Sequence, residues 1–397
     1  MTDQAPRIIV DEPKGLFGRL RDPRVRGIVF QILAIVGVVL FVSFIATNTV
    51  SNLARSGIQT GFDFLDQPAG FDISFSLLSF EPTDSHMRVF MVGMVNTLLV
   101  AALGIPAATI LGLVMGVLRL SSNWLVARMV TVYIEIVRNV PLLLQILFWQ
   151  AVIWTLPPVR DSISIGGAAF LNKRSLYLPK PHFESGISAV VIAVIVGLVL
   201  GFLISRWRKA RREATGQVGF RWAAPAVIIG LPLLAILATG VPWSWEAPVA
   251  GRFNFSGGIQ VPDVLVALWL GLVVYTAAFI AENVRAGIQA VSSGQREAAL
   301  AMGLTPRQTM NLVILPQAIR VIIPPTTSQF LNLTKNSSLA VFIGYPDIVA
   351  VFAGTSLNQT GQAIEIIALS MLFYLSVSLS ISLLMNWYNH ATALVDR

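Results

Sequence analysis

Long apolar stretches, broken by short polar segments, dominate the pattern along the chain. Eight of them, at approximately 27–50, 90–117, 129–155, 187–205, 223–241, 262–283, 320–344 and 363–388, reach the length at which a helix covers a bilayer core. The third and seventh contain charges, at Glu135, Arg138 and Lys335 among others. The pattern predicts an all-α integral membrane protein with about eight transmembrane helices. The first stretch follows a basic, proline-containing leader, is longer than a signal-peptide core and shows no convincing small-residue cleavage site, so it reads as a retained helix.

Composition agrees with this pattern. Charged residues are 12% of the chain, AVILMFWYC residues are 55%, and mean hydropathy is +0.73, which cannot build a water-soluble surface. The net charge of +8 would suit nucleic acid or anionic lipid, and the apolar content selects lipid. No nucleic-acid partner is expected. With no cysteine there is no disulfide framework or thiolate site, and His86, His182 and His390 stand in no ligand spacing. Neither a metal nor any other cofactor is expected.

Lys and Arg are distributed unequally between the connecting segments. With the N-terminus inside, segments 1–26, 118–128, 206–222, 284–320 and 389–397 hold 19 of the 28, and the opposite side holds seven. Both termini should therefore be cytoplasmic. The basic run Arg206–Arg212 reads as an anchor against anionic headgroups. The loops 51–88, 156–186 and 242–261 read as ordered external turns.

The most informative segment is Ala281–Arg320, too polar to span and too patterned for a loose loop. Ser292 and Ser293 offer N-caps, Glu297 lies near the positive end of the helix that follows, and Gln295 to Met302 are strong helix formers. Gly303 can end this helix, and Thr305–Pro306 can start a second one running to Leu315, with Pro316 breaking or kinking it. The small residues Ala298, Ala299, Ala301 and Gly303 would let another protein's groove approach the backbone, as in a docking knob. An amphipathic connector lying on lipid is the other reading.

EAALAMGLTPRQTMNLVILP resembles the EAA motif of ATP-binding-cassette importer permeases: Glu297, Ala298, Ala299, Gly303, Leu315 and Pro316 hold the motif places, with Val313 where isoleucine is usual. Ile134–Trp149, with Glu135, Arg138, Pro141 and Gln145, Asn96–Ala101, and Leu333–Ala340, with Lys335, Ser338 and Leu339, resemble the polar amino-acid branch of that family; Asn336 replaces its usual acid. The external run Asn52–Ile73 is similar to the general L-amino-acid permease subgroup.

This resemblance implies a type I importer permease with a five-helix core, made of spans two, three, six, seven and eight. It divides the chain into a cytoplasmic leader at 1–26, an extra helix at 27–50, an external loop at 51–88, a permease domain at 89–390 and a tail at 391–397. Within the permease domain lie an inserted region at 156–250, carrying two extra helices, and a coupling loop at 284–318. The resemblance also implies import of L-amino acids across a bacterial inner membrane, a cytoplasmic ATPase dimer docking on the coupling loop, a second related permease chain and an external amino-acid-binding protein. The chain has no GxxxxGK[ST] phosphate loop, so ATP hydrolysis falls to a partner and this subunit is no enzyme.

Charges within the spans are candidates for the substrate path. Glu135 and Arg138, three apart, can neutralise one another or contact substrate, and Gln145 could join a polar stripe there. Lys335 lies about 22 Å along its span and either snorkels outward or forms, with Asn332, Thr334, Asn336, Ser337 and Ser338, a polar belt facing the path. Pro324–Pro325 should kink the same helix. Glu365 reads as interfacial. An ion-coupled secondary transporter is the alternative function; it would want an internal repeat and midplane acidic or histidine relays, and neither is found.

Overall fold

The computed structural model describes residues 23–55, 60–216, 220, 222–251 and 254–392. Most of the expected leader and tail therefore lie outside the described residues. Each apolar stretch forms helix: α1 (Pro23–Arg55), α2 (His86–Leu118), α3 (Trp124–Asn139), α4 (Leu142–Trp154), α5 (Ile187–Thr215), α6 (Ala223–Thr239) and α7 (Asp263–Gln289). After α7 come α8 (Ser293–Ala301), α9 (Pro306–Thr309), α10 (Leu315–Asn336), α11 (Leu357–Thr360) and α12 (Ala363–Thr392). Among the described residues five helices, α1, α2, α5, α7 and α12, are long and apolar enough to cross a membrane singly, and α3 with α4 would make a sixth.

That sixth is where the expected third span departs from a single rod. The chain bends by 109° between α3 and α4. Pro141 causes it: proline pushes the preceding residue out of the helical region, and Val140 is extended at φ −98°, ψ 130°. The break frees carbonyls at the end of α3, and Gln145 supplies the missing donors. Its Nε2 reaches Val137 O at 2.8 Å and Val140 O at 2.9 Å. Gln145 is thus buried in the joint, and the expectation that it joins a polar stripe is corrected.

The core is held by α2 against α7. Gly104, Ala108, Gly112 and Gly116 recur every four residues on α2, presenting a stripe of backbone on which Ile280, Val284 and Leu333 pack. Around this contact Val100, Ile146, Leu268, Leu272 and Tyr345 form one buried cluster, and a second joins Phe64 and Leu65 of the 60–85 loop to Val89, Phe352 and Ile366. The same loop is pinned to α12, because Gly61 N donates to Glu365 Oε1 at 2.8 Å. Glu365 is therefore a structural tie.

Helices α5 and α6, in the region expected to be inserted, pack against each other at Gly197 and Gly201. Turns alone do not describe the segments flanking them. β1 (Ile163–Ile165), β2 (Ala169–Leu171), β3 (Ser175–Leu178) and β8 (Ile259–Pro262) form a four-stranded antiparallel sheet in that order. β4 (Lys180–Phe183) pairs with β5 (Trp243–Glu246), and β6 (Val249–Ala250) with β7 (Phe255–Ser256). Strands before α5 thus pair with strands after α6, which ties the two ends of the α5–α6 segment together. The strand register also delivers Asp263 to the start of α7, where it accepts from Gln150 Nε2 at 2.8 Å and Trp154 Nε1 at 3.2 Å.

Between α10 and α12 the chain runs through a 3-10 turn (Ser337–Ile343) and a π-helical segment (Val349–Ser356). Asn96 clamps the turn between them, its Nδ2 donating to Phe75 O at 2.9 Å and Pro346 O at 2.8 Å, while Tyr345 OH donates to Asn96 O at 3.0 Å. Asp347, in that turn, accepts from Ala350 N at 2.8 Å. Burial pushes its carboxyl up to about 7, against the lowering effect of backbone N–H groups at Ala350 and Val349.

Candidate functional site

At the end opposite the strands, α8 and α9 form the short helix pair expected of Ser293–Leu315. Ser292 occupies the N-cap position of α8, although its side chain makes no capping bond. Gly303 takes φ +80°, a left-handed conformation that costs a glycine little and ends the helix. Thr305 then opens α9 with a full capping box, its hydroxyl accepting from Gln308 N while Gln308 Oε1 accepts from Thr305 N at 2.9 Å.

Pro316 does not break the helix that follows. Between α9 and α10 the backbone passes through a π-helical turn, Met310–Ile314, and Pro316 stands in the first turn of α10. A proline has no N–H to give the carbonyl four residues back, and the widened turn ahead of it absorbs that loss. Pro324 and Pro325 likewise leave α10 helical throughout, from Leu315 to Asn336.

Of the motif residues, Ala299 is buried and Glu297, Ala298, Gly303 and Leu315 are exposed. The knob also exposes apolar groups: Met302 is 82% exposed, Leu312 65% and Leu300 46%. Beneath it lies a cavity of about 660 Å³, lined by Leu120, Ile288, Arg296, Leu300, Thr309 and Ile314. A projecting element with small and apolar side chains at its tip and free space at its root can be gripped and displaced as a unit.

The intramembrane charges do not pair as their spacing suggests. Glu135 lies 3.6 Å from Arg119, the residue closing α2, and Arg138 stacks at 5.1 Å over the ring of Phe279. Arg119 is also ion-paired to Glu282 of α7, whose other oxygen holds Arg285 at 2.5 Å. The expected neutralisation of Glu135 by Arg138 is therefore corrected: helix spacing places the two near each other, but the partners they take are Arg119, just past α2, and Phe279 of α7. Glu282 and Arg119 form the centre of this cluster, and sequence reasoning missed both. Their signal was present, since each is a charge at the margin of an apolar stretch.

The polar residues around Lys335 divide between two faces. Thr334 and Ser337 are buried against the core and bond to backbone carbonyls, Thr334 to Phe330 O at 2.9 Å and Ser337 to Thr334 O at 2.7 Å. Lys335 and Asn332 are exposed, with Asn336 and Ser338 between the two environments. The exposed side of α10 continues through Ser328, Pro325 and Pro324 to Val321, with Gln317 and Arg320 partly buried at its base. One face of α10 thus carries Gln317 and Arg320 at its base and Ser328, Asn332 and Lys335 further on, with Val321, Pro324 and Pro325 between, and the opposite face carries Ala318, Ile322, Ile323 and Leu333 into the core. Hydrocarbon would be a poor neighbour for the first face.

Residues 108–393 match a sequence family described as the binding-protein-dependent transport system inner membrane component. The chain is 50% identical over 378 residues to the general L-amino acid transport system permease protein AapQ of Rhizobium johnstonii, covering 95% of this chain and 94% of that one. It is 52% identical over 378 residues to the putative amino-acid ABC transporter permease protein YhdX of Escherichia coli, covering 95% and 96%. It is 41% identical over 422 residues to the glutamate/glutamine/aspartate/asparagine transport system permease protein BztB of Rhodobacter capsulatus, covering 98% and 99%.

Proposed function

The chain belongs to the family of binding-protein-dependent transport system inner membrane components, and from that premise we propose that it is the permease subunit of an ATP-driven importer of L-amino acids. The relatives named above are described as amino-acid permeases, which supports the substrate class. Nothing supports the ion-coupled alternative. The loop end is the cytoplasmic face, both termini lie on that side, and the strand end meets an external amino-acid-binding protein. A cytoplasmic ATPase dimer grips the α8–α9 knob and a second, related permease chain faces α10. Glu297, Ala298, Ala299, Gly303, Leu315 and Pro316 form or shape the coupling element. Lys335, Asn336 and Ser338 border the substrate path, while Ser337, Gln145, Glu135 and Arg138 support the helices around it.

The exposed knob is the observation that carries this reading. Its Met302 and Leu312 are large apolar side chains turned away from the rest of the chain at the end where Lys and Arg are concentrated. Ala298, Ala301 and Gly303, small and exposed beside them, open the backbone to a protein groove, which contact with lipid does not require. ATP-driven closure of the ATPases, acting on α8, moves the π-helical joint and through it α10. The experiment is a crosslink, made straightforward by the absence of native cysteine. Ala301→Cys in native membranes should capture an ATP-binding-cassette ATPase, identified by mass spectrometry; capture of lipid and membrane neighbours alone would refute the docking role.

A further inference from the structure

Among the described residues Arg320 stands out by what it lacks. It projects from the first turns of α10, and its Nε and Nη2 atoms are buried with no hydrogen-bond partner among those residues. No described carboxylate lies within ion-pair distance of it. Arg119 and Arg285, at the same end of the molecule, are both ion-paired to Glu282. A guanidinium with two buried donors unpartnered and no counter-charge is costly, so the position implies that something anionic completes it.

The surroundings suit such a group. Arg320 lines a cleft of about 420 Å³ whose other polar walls are Ser292, Gln295 and Gln317, and no acidic residue lines it. Gln317 Nε2 is engaged with Val313 O at 2.9 Å and lies 3.5 Å from Gln295 Oε1, which holds both amides at the cleft wall. The guanidinium fork is matched in shape and charge to a carboxylate or a phosphate, which it can hold through two parallel hydrogen bonds. Arg320 also stands at the base of the exposed face of α10 that passes Ser328 and Asn332 and reaches Lys335 fifteen residues later, so a cation marks each end of one track about 22 Å long.

We propose that Arg320, with Ser292 and Gln295 at the cleft wall, forms an oxyanion site at the cytoplasmic end of that track. Resting on the importer reading above, it receives the carboxylate of an amino acid leaving the path; the same chemistry would accept the phosphate of a phospholipid headgroup. Lys335 attracts the anionic end of the substrate at the outer half, and Arg320 offers it a second counter-charge beside the coupling element. The release step is then sensitive to the position of α8, because Ser292 and Gln295 move with that helix.

The test uses the complete transporter, with its ATPase and second permease chain, in nanodiscs containing phosphatidylglycerol. Binding of radiolabelled L-glutamine is measured for wild type, Arg320→Gln and Arg320→Lys, and retained phosphatidylglycerol is counted by native mass spectrometry. For a carboxylate site, Arg320→Gln should weaken L-glutamine binding about tenfold and Arg320→Lys by less, with lipid content unchanged. Loss of one phosphatidylglycerol per chain with unaltered L-glutamine binding would keep the oxyanion site and assign it to lipid.

Unchanged binding of both in Arg320→Gln would overturn the site, while leaving the importer reading intact if Ala301→Cys still captures the ATPase. Dissociation of the Arg320→Gln complex, with Arg320→Lys assembled normally, would mean that the counter-charge is a partner chain's carboxylate, and would also overturn it. A wild-type transporter that captures no ATPase and binds no L-glutamine would count against the importer reading itself, and unchanged lipid content in the variants would then remove the oxyanion site too.

Discussion

A side-chain carbon placed on Gly112 would lie 2.6 Å from Cβ of Ile280, closer than real carbons approach. The two residues therefore fix the separation of α2 and α7, and Gly104, Ala108 and Gly116 extend that contact in steps of four residues. Replacing Gly112 with Val should force the helices apart at a cost of about 1–3 kcal/mol, the range for overpacked cores. Thermal unfolding of the purified chain in detergent would register this as a lower midpoint. An unchanged midpoint would mean that the helices do not meet there.

Glu282 holds Arg119 from α2 and Arg285 from its own helix. Glu282→Gln leaves two cations facing each other without their shared carboxylate. Both partners are largely shielded, with Arg119 at 13% and Glu282 at 22% side-chain exposure, so the loss should be about 1–3 kcal/mol after allowance for partial solvation. The Arg119→Gln variant should recover part of that loss when combined with Glu282→Gln, and a double-mutant cycle with no coupling would remove the pair from the account.

Gly303 at φ +80° is required for the turn between α8 and α9, and any other residue is strained there. Gly303→Asp should insert into the membrane normally yet bind its ATPase weakly and lose most amino-acid uptake. Uptake at the wild-type rate in that variant would contradict the coupling role of the knob.

Asp347 has its carboxyl raised to about 7 from an ordinary 3.8, chiefly by burial. The folded chain thus binds the proton more tightly than the unfolded chain. Stability from this group is complete below about pH 4 and is lost as pH rises through 7. The unfolding midpoint should accordingly fall across that window, and Asp347→Asn should flatten the slope. Identical pH profiles for wild type and variant would show that Asp347 is ionised in the fold at all these values.

Pattern by itself was sufficient for the helical stretches and for the short helix pair after α7. An uncharged run of 18 or more residues has few ways to satisfy its backbone in lipid other than as helix, so the apolar stretches could be placed from the sequence with small errors at their ends. Likewise Gly303, Thr305 and Gln308 act through backbone geometry within a few residues of themselves, and local chemistry is what a sequence displays directly. The small-residue repeat on α2 was equally available, at Gly104, Ala108, Gly112 and Gly116, and went unread because the run is apolar throughout.

Partnerships over long sequence distances were decided only by the tertiary structure. Glu135 and Arg138 satisfy the spacing rule for a helical pair, yet Arg119 and Phe279 claim them, because a side chain's partner is set by which helices adjoin. Gln145 looked free for a path and is consumed by the carbonyls that Pro141 exposes. The polar run at 332–338 divides between core and open face according to the rotation of α10. That rotation depends on Ala318, Ile322 and Leu333 meeting α2 and α7. A sequence states which side chains are polar, but only packing states which direction each of them faces.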